Sequence, residues 1–200
     1  MKRFLTISLL LGAAVWASAE GSSFGLGVSG FAFAQSVSQT SSTTGTQSQI
    51  EFRIFGVVPV GDTGEFTPFV QPIFISFDDP SKVYTGSNGS TSTQNGLSLG
   101  ADYTWRVAAV GPFSLKLGPE VSVTFYASPS DFSGTYSYLG GTLSVPVIVD
   151  ATLGGGWTLR ALQTLASLDS YSRTYGPTTT GVTSFSFNGF NINLGAYYSF

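Results

Sequence analysis

The chain has no cysteine, no histidine and only one methionine, and charged residues fill just 10% of its 200 positions. Without cysteine there is no disulfide framework, no thiolate metal ligand and no site for a lipid anchor behind a leader. Without histidine, hydrolysis through a Ser-His-acid triad is excluded, and a metal could be held only by hard oxygen ligands such as Asp78-Asp79. That pair reads as part of a solvated acidic loop. The run Gly154-Gly155-Gly156 precedes no helical pattern and lacks the lysine of a phosphate loop, so it reads as a turn. No cofactor, no metal site and no catalytic residue are expected. Long apolar runs are missing too: from Glu20 onward nothing approaches the roughly 18 uninterrupted apolar residues of a membrane-spanning helix.

The amino-terminal end is different. Lys2 and Arg3 precede a mostly apolar stretch from Phe4 to Val15, and Ala17-Ser18-Ala19 has the small-x-small spacing of a signal peptidase site. The pattern predicts a signal peptide over 1–19, cleavage between Ala19 and Glu20, and Sec-type export. A retained anchor is disfavoured because the run is shorter than the ~20 residues of a bilayer span. Losing both leader cations would leave six basic residues against eleven acidic ones, a net charge of −5 over residues 20–200. Nucleic acid is therefore not expected as a partner.

Glycine, aromatic residues and hydroxyl residues, alternating at a period of two, make up the rest. Leu97, Leu99, Ala101, Tyr103, Trp105 and Val107 share one face of a run whose other face carries Ser98, Gly100, Asp102, Thr104, Arg106 and Ala108. After Val110-Gly111-Pro112 the pattern resumes, with Phe113, Leu115, Leu117, Pro119, Val121, Val123 and Phe125 opposing Ser114, Lys116, Gly118, Glu120, Ser122, Thr124 and Tyr126. Eleven to thirteen alternating residues suit a tilted membrane strand, whereas soluble sandwich strands usually stop at about five or six. Weaker versions cover 24–34, 50–58, 65–77, 136–149, a stretch from Trp157, and the end from Phe190 to Phe200. Residues 161–168 also allow a short helix, since Leu162, Leu165 and Leu168 recur every third position, but the alternation of Trp157, Leu159 and Ala161 favours a strand.

Connectors alternate in length. Segments 36–49, 78–93, 127–135 and 169–183 are long and rich in Ser, Thr, Gly, Gln and Asn, while 59–64, 109–112 and 150–156 are short. Phe24, Phe66, Trp105, Phe113, Trp157, Tyr198 and Phe200 all fall near the short-turn end, as an interfacial aromatic girdle would. The expected fold is all-β: a closed antiparallel up-and-down transmembrane β-barrel of about eight strands, forming a single domain over 20–200. Pro68, Pro72, Pro119 and Pro146 each remove a ladder donor, so local bulges are expected.

The last eight residues, Asn193-Leu194-Gly195-Ala196-Tyr197-Tyr198-Ser199-Phe200, resemble the C-terminal β-signal of outer-membrane barrel proteins. The size and layout of the chain are similar to those of the small eight-stranded outer-membrane barrels, the group that includes the OmpA membrane domain, OmpX and OmpW. The resemblance implies residence in a bacterial outer membrane, insertion by the barrel-assembly machinery, and Gly195, Tyr198 and Phe200 as the recognised positions. The enzymes built on such barrels use a histidine that this chain lacks, so the resemblance carries fold and location without an activity.

The face opposite the lipid should carry Glu51, Arg53, Asp102, Arg106, Lys116, Glu120 and Arg160, with Glu65 joining them: four acids and four bases. Eight strands leave an interior that side chains fill, so these groups are expected to pair as a structural network. A turn near residue 111 would set Arg106 opposite Lys116 and Asp102 opposite Glu120, so partners must come from other strands. The expected role is a monomeric structural or surface-interaction protein presenting four polar extracellular loops of unread specificity. The alternative is porin-like passage of small solutes or ions.

Overall fold

The computed structural model describes residues 25–30, 34–40, 43–78, 92–127, 136–175, 177–187 and 192–200. Every regular element among them is a β-strand: β1 (Gly25–Gly30), β2 (Ala34–Thr40), β3 (Thr43–Val60), β4 (Gly64–Asp78), β5 (Ser92–Val110), β6 (Phe113–Leu117), β7 (Glu120–Tyr126), β8 (Tyr136–Gly154), β9 (Trp157–Tyr175), β10 (Thr178–Phe187) and β11 (Ile192–Ser199). All pairings are antiparallel, and three of the walls are divided. β1 and β2 both pair with β3, β6 and β7 both run between β5 and β8, and β10 and β11 both pair with β9. The eleven segments therefore make eight walls. Because β11 pairs with β1, from Gly25↔Ser199 to Ser29↔Gly195, the ladder returns on itself.

Short turns join the strands at one end. Gly111, with φ 56°, takes the first place of the two-residue Gly111-Pro112 loop between the paired Val110 and Phe113, where a side chain would be strained. Gly155 and Gly156, both at positive φ, make the corresponding loop between Gly154 and Trp157.

The prolines divide into two kinds. Pro119 sits in the break between β6 and β7, where its carbonyl still accepts from the Tyr103 amide at 2.9 Å, and Pro146 marks a register shift against β9. Pro68 and Pro72 produce no shift: the β3–β4 register is constant on either side of each, and only the pairings there are absent. A tertiary amide costs a ladder bond without requiring an extra residue; the register is also constant on either side of Pro119, so of the four prolines only Pro146 coincides with a shift. The segment 161–168 lies wholly within β9.

The sequence understates the strands at the end away from the short turns. Segment 36–49, read above as a loop, is occupied by β2 and by the start of β3, which pair from Thr40↔Thr43 to Ala34↔Gln49. Segment 169–183 is likewise paired from Tyr175↔Thr178 onward. Hydroxyl side chains bond across that pair at Ser167–Ser186 (3.0 Å), Ser170–Thr183 (3.3 Å) and Thr174–Thr179 (3.1 Å). Ser and Thr runs that look like loop thus complete cross-strand pairs instead.

The outer surface is apolar. Leu97, Trp105, Leu115, Leu117, Val121, Val123, Phe125, Leu139, Leu143, Val145, Val149, Leu159 and Leu168 are all exposed. At the short-turn end, Phe66, Trp105, Phe113, Trp157 and Phe200 are exposed as well, and Tyr198 packs between Trp157 (ring centroids 5.3 Å) and Phe200 (5.1 Å). Phe24 and the leader residues, Ala19 and Glu20 included, lie outside the described residues.

Candidate functional site: the charged interior

Alternation sends one residue in two inward, and on seven of the walls the inward set includes polar or charged groups that pack among aromatic rings. Arg53, Phe55 and Val57 come from β3; Glu65, Thr67, Phe69, Gln71 and Ile73 from β4; Asp102 and Thr104 from β5; Lys116 from β6 and Glu120 from β7. Ser144, Ile148 and Asp150 come from β8, Thr158, Arg160 and Leu162 from β9, and Asn193 and Tyr197 from β11. All are buried.

Asp150 is the hub. It faces Arg160 directly across the β8–β9 ladder and receives two bonds from it, Nε to Oδ1 at 2.8 Å and Nη2 to Oδ2 at 2.7 Å. Such a planar two-pronged contact is the strongest geometry available to this pair. Lys116 Nζ donates to the same Oδ2 at 2.7 Å, and the Tyr197 hydroxyl at 3.2 Å. Lys116 also donates to Glu65 Oε2, and Arg160 Nη2 donates to Glu65 Oε1 at 2.6 Å. β4 and β9 stand four walls apart whichever way the ring is followed, so the Arg160–Glu65 bond crosses the full width of the interior.

A second group lies beside the first. Arg53 Nη1 donates to Glu120 Oε2 at 2.8 Å and its Nε to Gln71 Oε1 at 3.0 Å, while the Ser144 hydroxyl donates to Glu120 Oε1 at 3.3 Å. Apolar rings support both groups. The Arg53 guanidinium lies 3.8 Å from the Phe69 ring centre, and that of Arg160 lies 4.8 Å from Tyr197 and 5.3 Å from Phe55. Away from bulk water, each such cation–aromatic contact contributes about 2 kcal/mol.

The structure brings Arg53, Glu65, Asp102, Lys116, Glu120 and Arg160 inside. Arg106 is not part of this buried group, although it stays opposed to Lys116 in the ladder. Arg106 and Lys116 are opposed as the turn geometry requires, but the ladder shifts between Arg106 and Ala108, and the exposed guanidinium turns to the Asp62 carbonyl at 3.0 Å. Two cations side by side would be costly without water, and the place of Arg106 beside the Asp62–Thr63 turn leaves its charge exposed to solvent. The backbone of Glu51 pairs with Ile73, but its side chain lies outside the described residues. Asp102 opposes Glu120 as expected, and neither of its carboxylate oxygens has a partner among the described residues.

Asp150 was legible but unread: Ser144, Pro146 and Ile148 share its parity, and only its nearness to Gly154-Gly155-Gly156 placed it in a turn. Phe55 and Tyr197 share parity with Arg53 and Asn193, so alternation places them inside, whereas Phe69 lies in the run 65–77, where apolar residues on both faces leave the side open. Gly195 and Tyr198 lie in the seam-closing strand β11, Tyr198 against Leu26 on one side and Trp157 on the other, with Phe200 exposed just beyond it.

No protein-family model matches the chain, and no curated protein matches its sequence significantly. Among solved structures it is similar to Neisserial surface protein A (NspA), with TM-score 0.50 and 15% identity over 90% of this chain and 97% of that one. A major outer membrane protein from Thermus thermophilus is similar at TM-score 0.47 and 12% identity, over 90% and 99% of the two chains. OmpT, an outer membrane protein of Vibrio cholerae, follows at TM-score 0.32 and 14% identity, over 88% and 50%. At these identities the likeness concerns fold alone, and the first match carries it. Taken with the ring of eight walls, the apolar exterior and the polar interior, it makes the chain's fold that of a small outer-membrane β-barrel.

Proposed function

We propose that this is an integral protein of a bacterial outer membrane whose interior is a closed plug, so that it acts through the surface it presents rather than through its lumen. The single observation that carries this reading is the Arg160–Glu65 bond, 2.6 Å long between opposite walls and continued through Asp150 and Lys116. An ion pair made of buried groups, each held by further bonds, is costly to break because either partner alone is left unpaired. The plug therefore acts as a fixed core. Export by the Sec route, removal of residues 1–19, and insertion by barrel-assembly machinery that reads Gly195, Tyr198 and Phe200 complete the reading. The protein works as a monomer in lipid, and its polar outer connections meet an extracellular partner. The absence of histidine supports a role without hydrolytic chemistry.

Planar-bilayer recording tests the plug. Purified folded protein should give no steady single-channel steps at moderate voltage, whereas the double substitution Arg160→Ala with Glu65→Ala, which removes the bond across the barrel, should conduct. Steady steps from the unaltered protein would replace this reading with passive transport of small solutes or ions.

A further inference from the structure

The interior is short of positive charge. Among the described residues, Arg53, Lys116 and Arg160 face Glu65, Asp102, Glu120 and Asp150. The three cations are all committed: Arg53 to Glu120 and Gln71, and Lys116 and Arg160 to Glu65 and Asp150. Asp102 is the acid left over. It is 1% exposed, with Thr67 opposite it on β4 and Glu120 opposite it on β7, and both its oxygens are without a hydrogen-bond partner among the described residues. The cations nearest in effect, Arg160 and Arg53, already bond to Glu65, Asp150 and Glu120. Thr104, two positions along the same face and 0% exposed, has an unpartnered hydroxyl oxygen. A buried carboxylate with nothing to hold is among the costliest groups a fold can contain.

We propose that Asp102 and Thr104 hold a monovalent cation, Na+ or K+, inside the barrel beside the Arg53–Glu120 pair. The two residues are about 7 Å apart along the strand, a span that one ion with its bound water bridges. Hard oxygen donors of this kind, one charged and one neutral, suit a cation of low charge. A divalent ion would ask for several converging carboxylates, and among the described residues no three acids form such a group. The ion supplies a fourth positive charge against the four buried acids among the described residues. Its site belongs to the plug's chemistry but does not depend on whether the lumen conducts.

An ion that binds only the folded barrel raises stability by mass action. The test is urea unfolding of the detergent-folded protein in NaCl, KCl and N-methyl-D-glucamine chloride at equal ionic strength. The unaltered protein should unfold at a higher urea midpoint in NaCl or KCl than in the bulky organic salt, with a several-fold change in the unfolding equilibrium. Asp102→Asn should remove the difference, and Thr104→Val, which keeps the carboxylate, should reduce it. In crystals soaked with rubidium or thallium, an anomalous peak should appear beside Asp102. Equal midpoints for the unaltered protein in all three salts would overturn the proposal. So would a difference that persists in Asp102→Asn, or an infrared carbonyl band of a neutral acid that vanishes in that variant, since a proton would then fill the site. Should Asp102→Asn not fold, Thr104→Val and the anomalous map decide between the same outcomes.

Discussion

One oxygen of Asp150, Oδ2, accepts bonds from Arg160, Lys116 and Tyr197, donors that reach it from three different strands. Removing its charge leaves two buried cations sharing the single carboxylate of Glu65. Asp150→Asn should therefore cost about 3–5 kcal/mol of folding stability, the range for breaking a buried ion pair from one side. Asp169→Asn makes the control: Asp169 is only part-buried and bonded to the hydroxyls of Thr142 and Ser167, so its loss should cost about 1 kcal/mol. Urea titration of both variants in detergent measures the contrast, and equal losses would deny the hub its structural role. Asp150 was open to sequence reading, since its parity matches Ser144 and Ile148. The exposure of Arg106 was not: alternation gives its face, shared with Lys116, but not its place beside the turn at Asp62–Thr63.

At the scale of the element, the determining property is that a strand has two faces and a barrel gives each a different solvent. β5, β8 and β9 are each 19 residues long, well beyond the 9–11 or so that a tilted membrane strand needs. The excess runs away from the short turns; on β9 the outward Leu168 gives way there to Ser170 and Ser172, while on β8 the apolar face reaches Leu139. This contrast yields a positional prediction. Leu143 is exposed midway along β8, opposite Val121, so Leu143→Arg should cost roughly 2–4 kcal/mol as a cation on the lipid face. Ser170→Arg, on the outward face of β9 past its last exposed leucine, should cost clearly less. Folding yield in vesicles against urea reads both, and a neutral Leu143→Arg would place this stretch outside the bilayer. Strand existence was legible here because the alternation is long. Strand length was not, because a Ser/Thr run gives the same signal in a solvated loop and in a hydroxyl-paired hairpin.

For the whole molecule, closure is what makes the fold possible in lipid. An open sheet would leave a row of backbone donors and acceptors facing hydrocarbon, and pairing β11 with β1 removes that edge. A closed ladder opens only cooperatively, so the folded barrel should resist SDS at room temperature and release on boiling. Gel mobility should accordingly differ between unheated and boiled samples, and a single band in both conditions would count decisively against the closed ring. The interior ion-pair network is also a property of this scale, since its bonds exist only between walls that closure brings face to face.

By itself the sequence determined the faces: a period of two, sustained over long runs, tells which residues share a side and that one side is apolar, because both follow from the local geometry of an extended backbone. It also determined what chemistry is absent, since a residue type that does not occur cannot act. Which charges pair was decided only in three dimensions. Glu65 and Arg160 are separated by 95 positions and by four walls, and no local rule relates them. Ring closure and the stagger of its strands fix their distance, and with it the leftover charge of Asp102.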